Sequence, residues 1–156
     1  MRRLPPTNLD RLLMVEHRMV NDAGVAMERA HGLKSVHETD DETYGITMRV
    51  NSRSVFLGYK YAGQQMIQRD PQPSGDWGWI INTPSIAGLV GLAGCVSYTA
   101  SKGSVVQMTK AVALNYAPNR IHCNAVCPGC GSVVNARRQE LTGISHKYGN
   151  DQAVDR

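Results

Sequence analysis

Tyr98 and Lys102 stand four residues apart, in Tyr-Thr-Ala-Ser-Lys, at the start of an apolar-patterned stretch that predicts a helix over 97–116. On a helix that spacing puts both side chains on one face. A free phenol ionises near pH ~10 and is a poor acid or base at neutral pH. An ammonium beside it favours the phenolate, and proton exchange with a substrate hydroxyl or carbonyl then becomes practical. By itself the pair describes a solvated helical face more readily than an active site. Ser85 supplies a third group. It lies 13 residues before Tyr98, after the β-rich run Trp79–Thr83. A hydroxyl at the carboxyl end of a parallel strand sits where open α/β sheets bind their ligands. Without that context Ser85 is an ordinary loop serine.

The elements that must position these groups follow from the pattern. Residues 1–17 carry mixed signals and read as an irregular lead-in. Arg18–Val20 is a short strand ending at Asn21-Asp-Ala-Gly24, and 28–40 are polar and turn-like. A helix is expected over 41–68, capped by Thr39 or Asp40 with Asp41 and Glu42 in its first turn, where the helix dipole favours acids. Its apolar positions are Val50, Val55, Leu57, Tyr61, Met66 and Ile67. Asp70-Pro-Gln-Pro-Ser-Gly-Asp76 is a break. Strand Trp79–Thr83 leads into a Gly/Ala-rich loop over Pro84–Val96. Ser97 is the expected cap of the second long helix, which carries Val105, Val106, Met108, Ala111, Val112 and Leu114 and stops at Ala117-Pro-Asn. Arg120–Val126 is a third strand, closed by Cys127-Pro-Gly129, and the polar segment 131–156 reads as a loosely ordered tail. Strand, helix, strand, helix, strand predicts an α/β fold with a parallel sheet.

Five segments in this order resemble the short-chain dehydrogenase/reductase family. Asn82-Thr-Pro-Ser-Ile-Ala-Gly88, followed by Tyr98-Thr-Ala-Ser-Lys-Gly103, is similar to its active-site signature. Val20-Asn-Asp-Ala-Gly24 resembles its Asn-Asn-Ala-Gly segment. Val50-Asn-Ser-Arg-Ser-Val-Phe-Leu-Gly58 resembles the helix that carries its active-site asparagine. Arg120-Ile-His-Cys-Asn-Ala-Val-Cys-Pro-Gly129 resembles its sixth strand and Pro-Gly turn. The resemblance covers 19–129 and implies a partial Rossmann-like, doubly wound three-layer α/β/α domain over 18–130, and an NAD- or NADP-dependent oxidoreductase acting on a secondary alcohol or ketone. It implies Tyr98 as acid/base and Lys102 as the group that lowers the phenol pKa and bonds the nicotinamide ribose. Ser85 would hold the substrate oxygen and Asn51 would serve a water-linked proton relay. Asn21, Ala23 and Gly24 would line the cofactor ribose, and Pro128 and Gly129 would pass beside the nicotinamide. It further implies a homo-oligomer built through helices 41–68 and 97–116.

Departures bear on the cofactor. No Thr-Gly-x3-Gly-x-Gly turn is present, so the phosphate-binding half and the first strands are expected to be missing. Cofactor binding is then expected to be weakened, with NAD and NADP both open. Gly88, Gly91 and Gly94 follow the wrong strand for a phosphate cradle and read as active-site loop. Asp22 replaces the second asparagine of Asn-Asn-Ala-Gly, an acceptor-only group for an amide. A sheet without its first strands exposes an edge. The alternative reading is therefore a catalytically inactive remnant or an interaction protein. A net charge of +4, with Lys and Arg scattered, gives no basic footprint for nucleic acid. The longest apolar run, 86–96, has 11 residues, short of the ~20 a membrane span needs. With no secretory signal in 1–17, a cytoplasmic chain with reduced thiols is expected. Cys123, Cys127 and Cys130 have an iron–sulfur-like spacing, but the first two fall in or beside a strand, and burial as small apolar groups is the better reading. No metal site is expected.

Overall fold

The computed structural model describes residues 17–129. The expected tail over 131–156, and all but His17 of the expected lead-in, lie outside them. Three parallel strands, β1 (Arg18–Asn21), β2 (Gly78–Asn82) and β3 (Ile121–Ala125), form one sheet in the order β1-β2-β3. Their register pairs Asn21 with Asn82 and Asn82 with Ala125, so all three strands end at the same level. The helices between them are α1 (Met27–His31), α2 (Asp41–Met48), α3 (Ser54–Gln68) and α4 (Val96–Tyr116).

Period-2 alternation sorts the strands by face. Ile80, Asn82, Ile121 and Cys123 point to one side, where Val55, Tyr59, Ala62 and Met66 of α3 and Val105 of α4 close over them. Met66 and Ile80 are completely buried, and burial of one such side chain contributes about 1.5–3 kcal/mol. Four of the buried α3 positions, Val55, Tyr59, Ala62 and Met66, follow i, i+4, i+7, i+11, one helical stripe, with Gly63 buried beside them. That stripe differs from the expected one: Tyr61 and Ile67 are exposed, as is Leu114 on α4. The opposite sheet face carries Arg18, Trp79 and His122, with the Trp79 and His122 rings stacked and Arg18 over Trp79.

The helix expected over 41–68 is continuous but not uniform. Asp40 is its cap, accepting from Thr43 N at 2.7 Å. Between α2 and α3 the chain opens into one π-helical turn, Arg49–Arg53, around buried Asn51. Such turns are costly and concentrate at functional positions. Residues 28–40, expected as turns, include α1 and a 3-10 turn over Val36–Glu38, closed by a Ser35–Glu38 capping box. No described helix is long and apolar enough to cross a membrane.

Candidate functional site

The site forms where the strands end. Asn21 Nδ2 donates to Asn82 Oδ1 at 2.8 Å. Asn82 Nδ2 in turn donates to Thr109 Oγ1 and to the Asn124 carbonyl, each at 3.2 Å. Thr109 meets the Tyr59 hydroxyl at 2.9 Å, and burial pushes the Tyr59 phenol and the Cys123 thiol above their ordinary pKa values. This buried polar network fixes the strand ends, and it takes up the Asn21 side chain. Asn21 is thus brought into the sheet, with its carbonyl accepting from Thr83 N at 3.0 Å.

Beyond the strand ends the loops converge. Ser85 follows β2 and accepts from Ala87 N at 3.2 Å, opening a 3-10 turn over Ile86–Gly88. Ile86 N donates to the Pro128 carbonyl at 2.9 Å, which joins the Ser85 loop to the turn after β3. Gly129, at that turn, is exposed.

Tyr98 and Lys102 lie in the first turns of α4. The Lys102 ammonium is buried and stands 5.7 Å from the centroid of the Tyr98 ring, over it. It donates to the Thr83 carbonyl at 3.2 Å. Burial pulls its pKa below the usual lysine value, and the Asp22 carboxylate opposes that by favouring the charged form. The aspartate that departs from the family's Asn-Asn-Ala-Gly thus acts here as a countercharge. A lysine whose folded pKa is depressed loses its proton on folding over the window between its folded and unfolded values, so stability rises with pH there.

Asn51 completes the cluster. Its Oδ1 accepts from Val25 N at 2.7 Å, and its Nδ2 donates to the Val25 carbonyl at 2.8 Å and to Ser101 Oγ at 2.9 Å. Ser101 Oγ donates on to the Tyr98 carbonyl at 2.8 Å. The Asn51 amide therefore clamps the segment after β1 and reaches α4 through Ser101. Gly24 lies directly against this cluster: a Cβ there would stand 3.1 Å from Lys102 Nζ and 3.3 Å from Asn51 Oδ1.

The structure thus brings Asn51, Lys102, Tyr98 and Gly24 into one cluster, with Ser85 and Pro128 joined through the neighbouring loop. A nicotinamide ribose fits the residues present. Ala23 and Gly24 are exposed, and Gly24 lies beside the ammonium. Lys102 Nζ has the Thr83 carbonyl as its one acceptor among the described residues, although an ammonium carries three donors.

Two residues of the arrangement were not found from sequence. Ser101 was passed over inside Tyr-Thr-Ala-Ser-Lys. Glu28, in the stretch read as turns, is buried, and its Oε1 accepts from Ser97 N at 2.7 Å and Tyr98 N at 3.1 Å. The expectation that Ser97 caps this helix is corrected by the same bonds. Cys95 is the cap residue, its side chain makes no capping bond, and Ser97 lies inside the helix with its hydroxyl unpartnered. Cys95 and Cys123 are buried free thiols, and Cys127 is half-buried. Among the described residues no group of three His, Cys, Asp or Glu side chains could hold a metal.

A family model described as short chain dehydrogenase matches residues 10–142. The chain belongs to the short-chain dehydrogenase family. The chain is 40% identical over 123 residues to an "Inactive 2-(S)-hydroxypropyl-CoM dehydrogenase 2" of Xanthobacter autotrophicus, covering 79% of this chain and 49% of that one. It is 41% identical over 111 residues to a 3beta-hydroxysteroid dehydrogenase 2 of Eggerthella lenta, covering 71% and 39% respectively. A cyclopentanol dehydrogenase of Comamonas testosteroni is 40% identical over 111 residues, 71% of this chain and 40% of the other. The chain therefore spans about half or less of the length of these relatives. Its fold is also that of a 4-hydroxyisoleucine dehydrogenase complexed with NADH and succinate, at TM-score 0.64 and 23% identity, over 78% of this chain and 52% of that one.

Proposed function

We propose that this short-chain dehydrogenase is an NAD- or NADP-dependent oxidoreductase that interconverts a secondary alcohol and its ketone. The observation that carries this reading is the buried Lys102 ammonium over the Tyr98 ring, closed in by Gly24 and clamped by Asn51. When bound, the nicotinamide supplies the site that accepts or gives the hydride. Tyr98 takes the proton from the substrate hydroxyl, or returns it to the carbonyl, through its phenolic oxygen. Lys102 favours the phenolate by its charge and offers its free donors to the ribose hydroxyls. Ser85 Oγ holds the substrate oxygen. Asn51 serves the proton relay near Lys102 and keeps the Gly24–Val25 backbone in place for the cofactor. Ala23 and Gly24 border the ribose, Asn21 anchors that border to β2, and Pro128 and Gly129 flank the nicotinamide. Relatives named for hydroxypropyl, hydroxysteroid and cyclopentanol compounds support a secondary alcohol as the substrate class.

A second reading has its own support. One of the relatives is named inactive. In that reading the chain is a non-catalytic binding protein that associates through the helices over 41–68 and 97–116, where Phe56, Tyr61 and Leu114 are exposed. The same surface would make the enzyme a homo-oligomer.

The test is a panel of secondary alcohols, cyclopentanol and a 3-hydroxysteroid among them, offered with NAD+ and with NADP+ while the absorbance of the reduced nicotinamide is followed. Alcohol-dependent reduction with one cofactor is the expected outcome. No reduction with any member by a folded chain would favour the binding protein.

A further inference from the structure

Glu28 presents a carboxylate where a local cap would serve. The first four N–H groups of a helix lack partners within it, and at α4 two of them, on Ser97 and Tyr98, are taken by Glu28 Oε1 from 69 and 70 residues upstream. A serine, threonine or aspartate at the cap position would satisfy such groups locally. The carboxylate is instead 2% exposed, and its Oε2 has no partner among the described residues, a burial that costs stability. What the distant cap adds is a connection. Glu28 closes the segment 21–28, whose earlier members are tied to Asn82 and Asn51. Both sides of Tyr98 are then held from that segment, its N–H by Glu28 and its carbonyl by Ser101, which Asn51 holds.

We infer that Glu28 is a positioning residue for Tyr98. Its carboxylate fixes the first turn of α4 against the segment that would border the cofactor ribose, so the phenol is placed from the cofactor side. The bond is charge-assisted and lies at the positive end of the helix dipole, and both features strengthen it. The inference rests on the reading of Tyr98 as the acid/base.

The test compares Glu28→Ala, Glu28→Gln and Glu28→Asp with the wild type by amide hydrogen exchange and by kinetics. In Glu28→Ala, exchange at the Ser97 and Tyr98 amides should accelerate on the order of tenfold, while the β2 and β3 amides keep their protection. Its kcat should fall roughly tenfold with KM nearly unchanged, since a misplaced acid/base loses rate rather than binding. Glu28→Gln keeps the accepting oxygen and should restore most of both. Unchanged exchange at the two amides, or a loss carried by KM alone, would overturn the inference. If Glu28→Ala does not fold, Glu28→Asp, which keeps the charge but is one methylene short, is read in the same way. The exchange measurement needs no turnover, so an inactive wild type would count against the oxidoreductase reading alone.

Discussion

Tyr98→Phe is expected to lower kcat by about a hundred- to ten-thousandfold, the range for loss of a general acid/base, and to leave the affinity for NADH nearly unchanged. The substitution removes one oxygen. The ring beneath Lys102 stays, so the 5.7 Å contact that helps seat the ammonium survives, and Lys102 keeps its bond to the Thr83 carbonyl. Loss of rate with retained binding marks an interaction made only on the way to the transition state. Initial rates with a turned-over alcohol, paired with an NADH titration, separate the two effects. A variant with wild-type kcat would remove Tyr98 from the chemistry. A variant that loses NADH as well would mean that the hydroxyl organises the pocket rather than moving the proton.

Gly88→Ala carries the second large effect, and it acts through backbone. A Cβ on Gly88 would stand 2.7 Å from the Lys102 carbonyl oxygen, 2.8 Å from its carbon and 3.0 Å from Val106 Cγ2. Real Cβ atoms do not approach that closely, and a helix backbone cannot rotate aside as a side chain can. The Ser85 loop and α4 must therefore separate, at a cost of about 1–3 kcal/mol for overpacking. Because that separation falls at Lys102 itself, turnover should drop along with the denaturation midpoint. Gly91→Ala is the control: nothing lies within 4 Å of its Cβ position, so its midpoint should stay at or slightly above the wild-type value. Urea unfolding of the three proteins gives the comparison. Equal midpoints for Gly88→Ala and the wild type would show that the loop and the helix are not in close contact.

These two glycines show what a sequence reading can and cannot resolve. Gly88, Gly91 and Gly94 share one spacing and one composition, and the sequence supports assigning all three to the active-site loop. Which of them meets a helix backbone depends on how the loop folds over α4, and that is a tertiary fact. Gly94 differs again, with φ at +70° and Leu33 beside it. The strands were legible because short β-branched and aromatic runs between turn signals have few alternatives. The three expected spans agree with Arg18–Asn21, Gly78–Asn82 and Ile121–Ala125 to within about a residue at each end. The helix over Val96–Tyr116 was legible for a similar reason, since its apolar residues and its Ala-Pro-Asn stop are local.

What was hidden depended on partners far along the chain. No residue within 49–53 announces a π-helical turn; it forms where Asn51 turns inward to bond Val25, 26 residues earlier. Ser97 has the composition of a cap, yet the cap is supplied by Glu28, which nothing in its polar surroundings marks as buried. On α3 the expected stripe counted Tyr61 and Ile67, whereas the face against the sheet takes Tyr59 and Ala62. A phenol can be buried at 59 because Thr109 meets its hydroxyl, a pairing across 50 residues that periodicity does not reveal. The candidate site residues were picked out by motif and order, and the bonds that hold them together run through Ser101, Val25 and Glu28, which carry no such signature.

A working nicotinamide pocket in this chain is tested by a fluorescence titration of the purified protein with NADH and with NADPH. Lys102→Ala, shown to be folded by circular dichroism, is titrated beside it. Saturable binding of one cofactor, weakened at least tenfold by the substitution, is the predicted result, because Lys102 is the buried ammonium, bonded to Thr83 and lying against Gly24, that the proposed function sets beside the ribose. No saturation with either cofactor at millimolar concentration, or equal affinity in the wild type and Lys102→Ala, would contradict it.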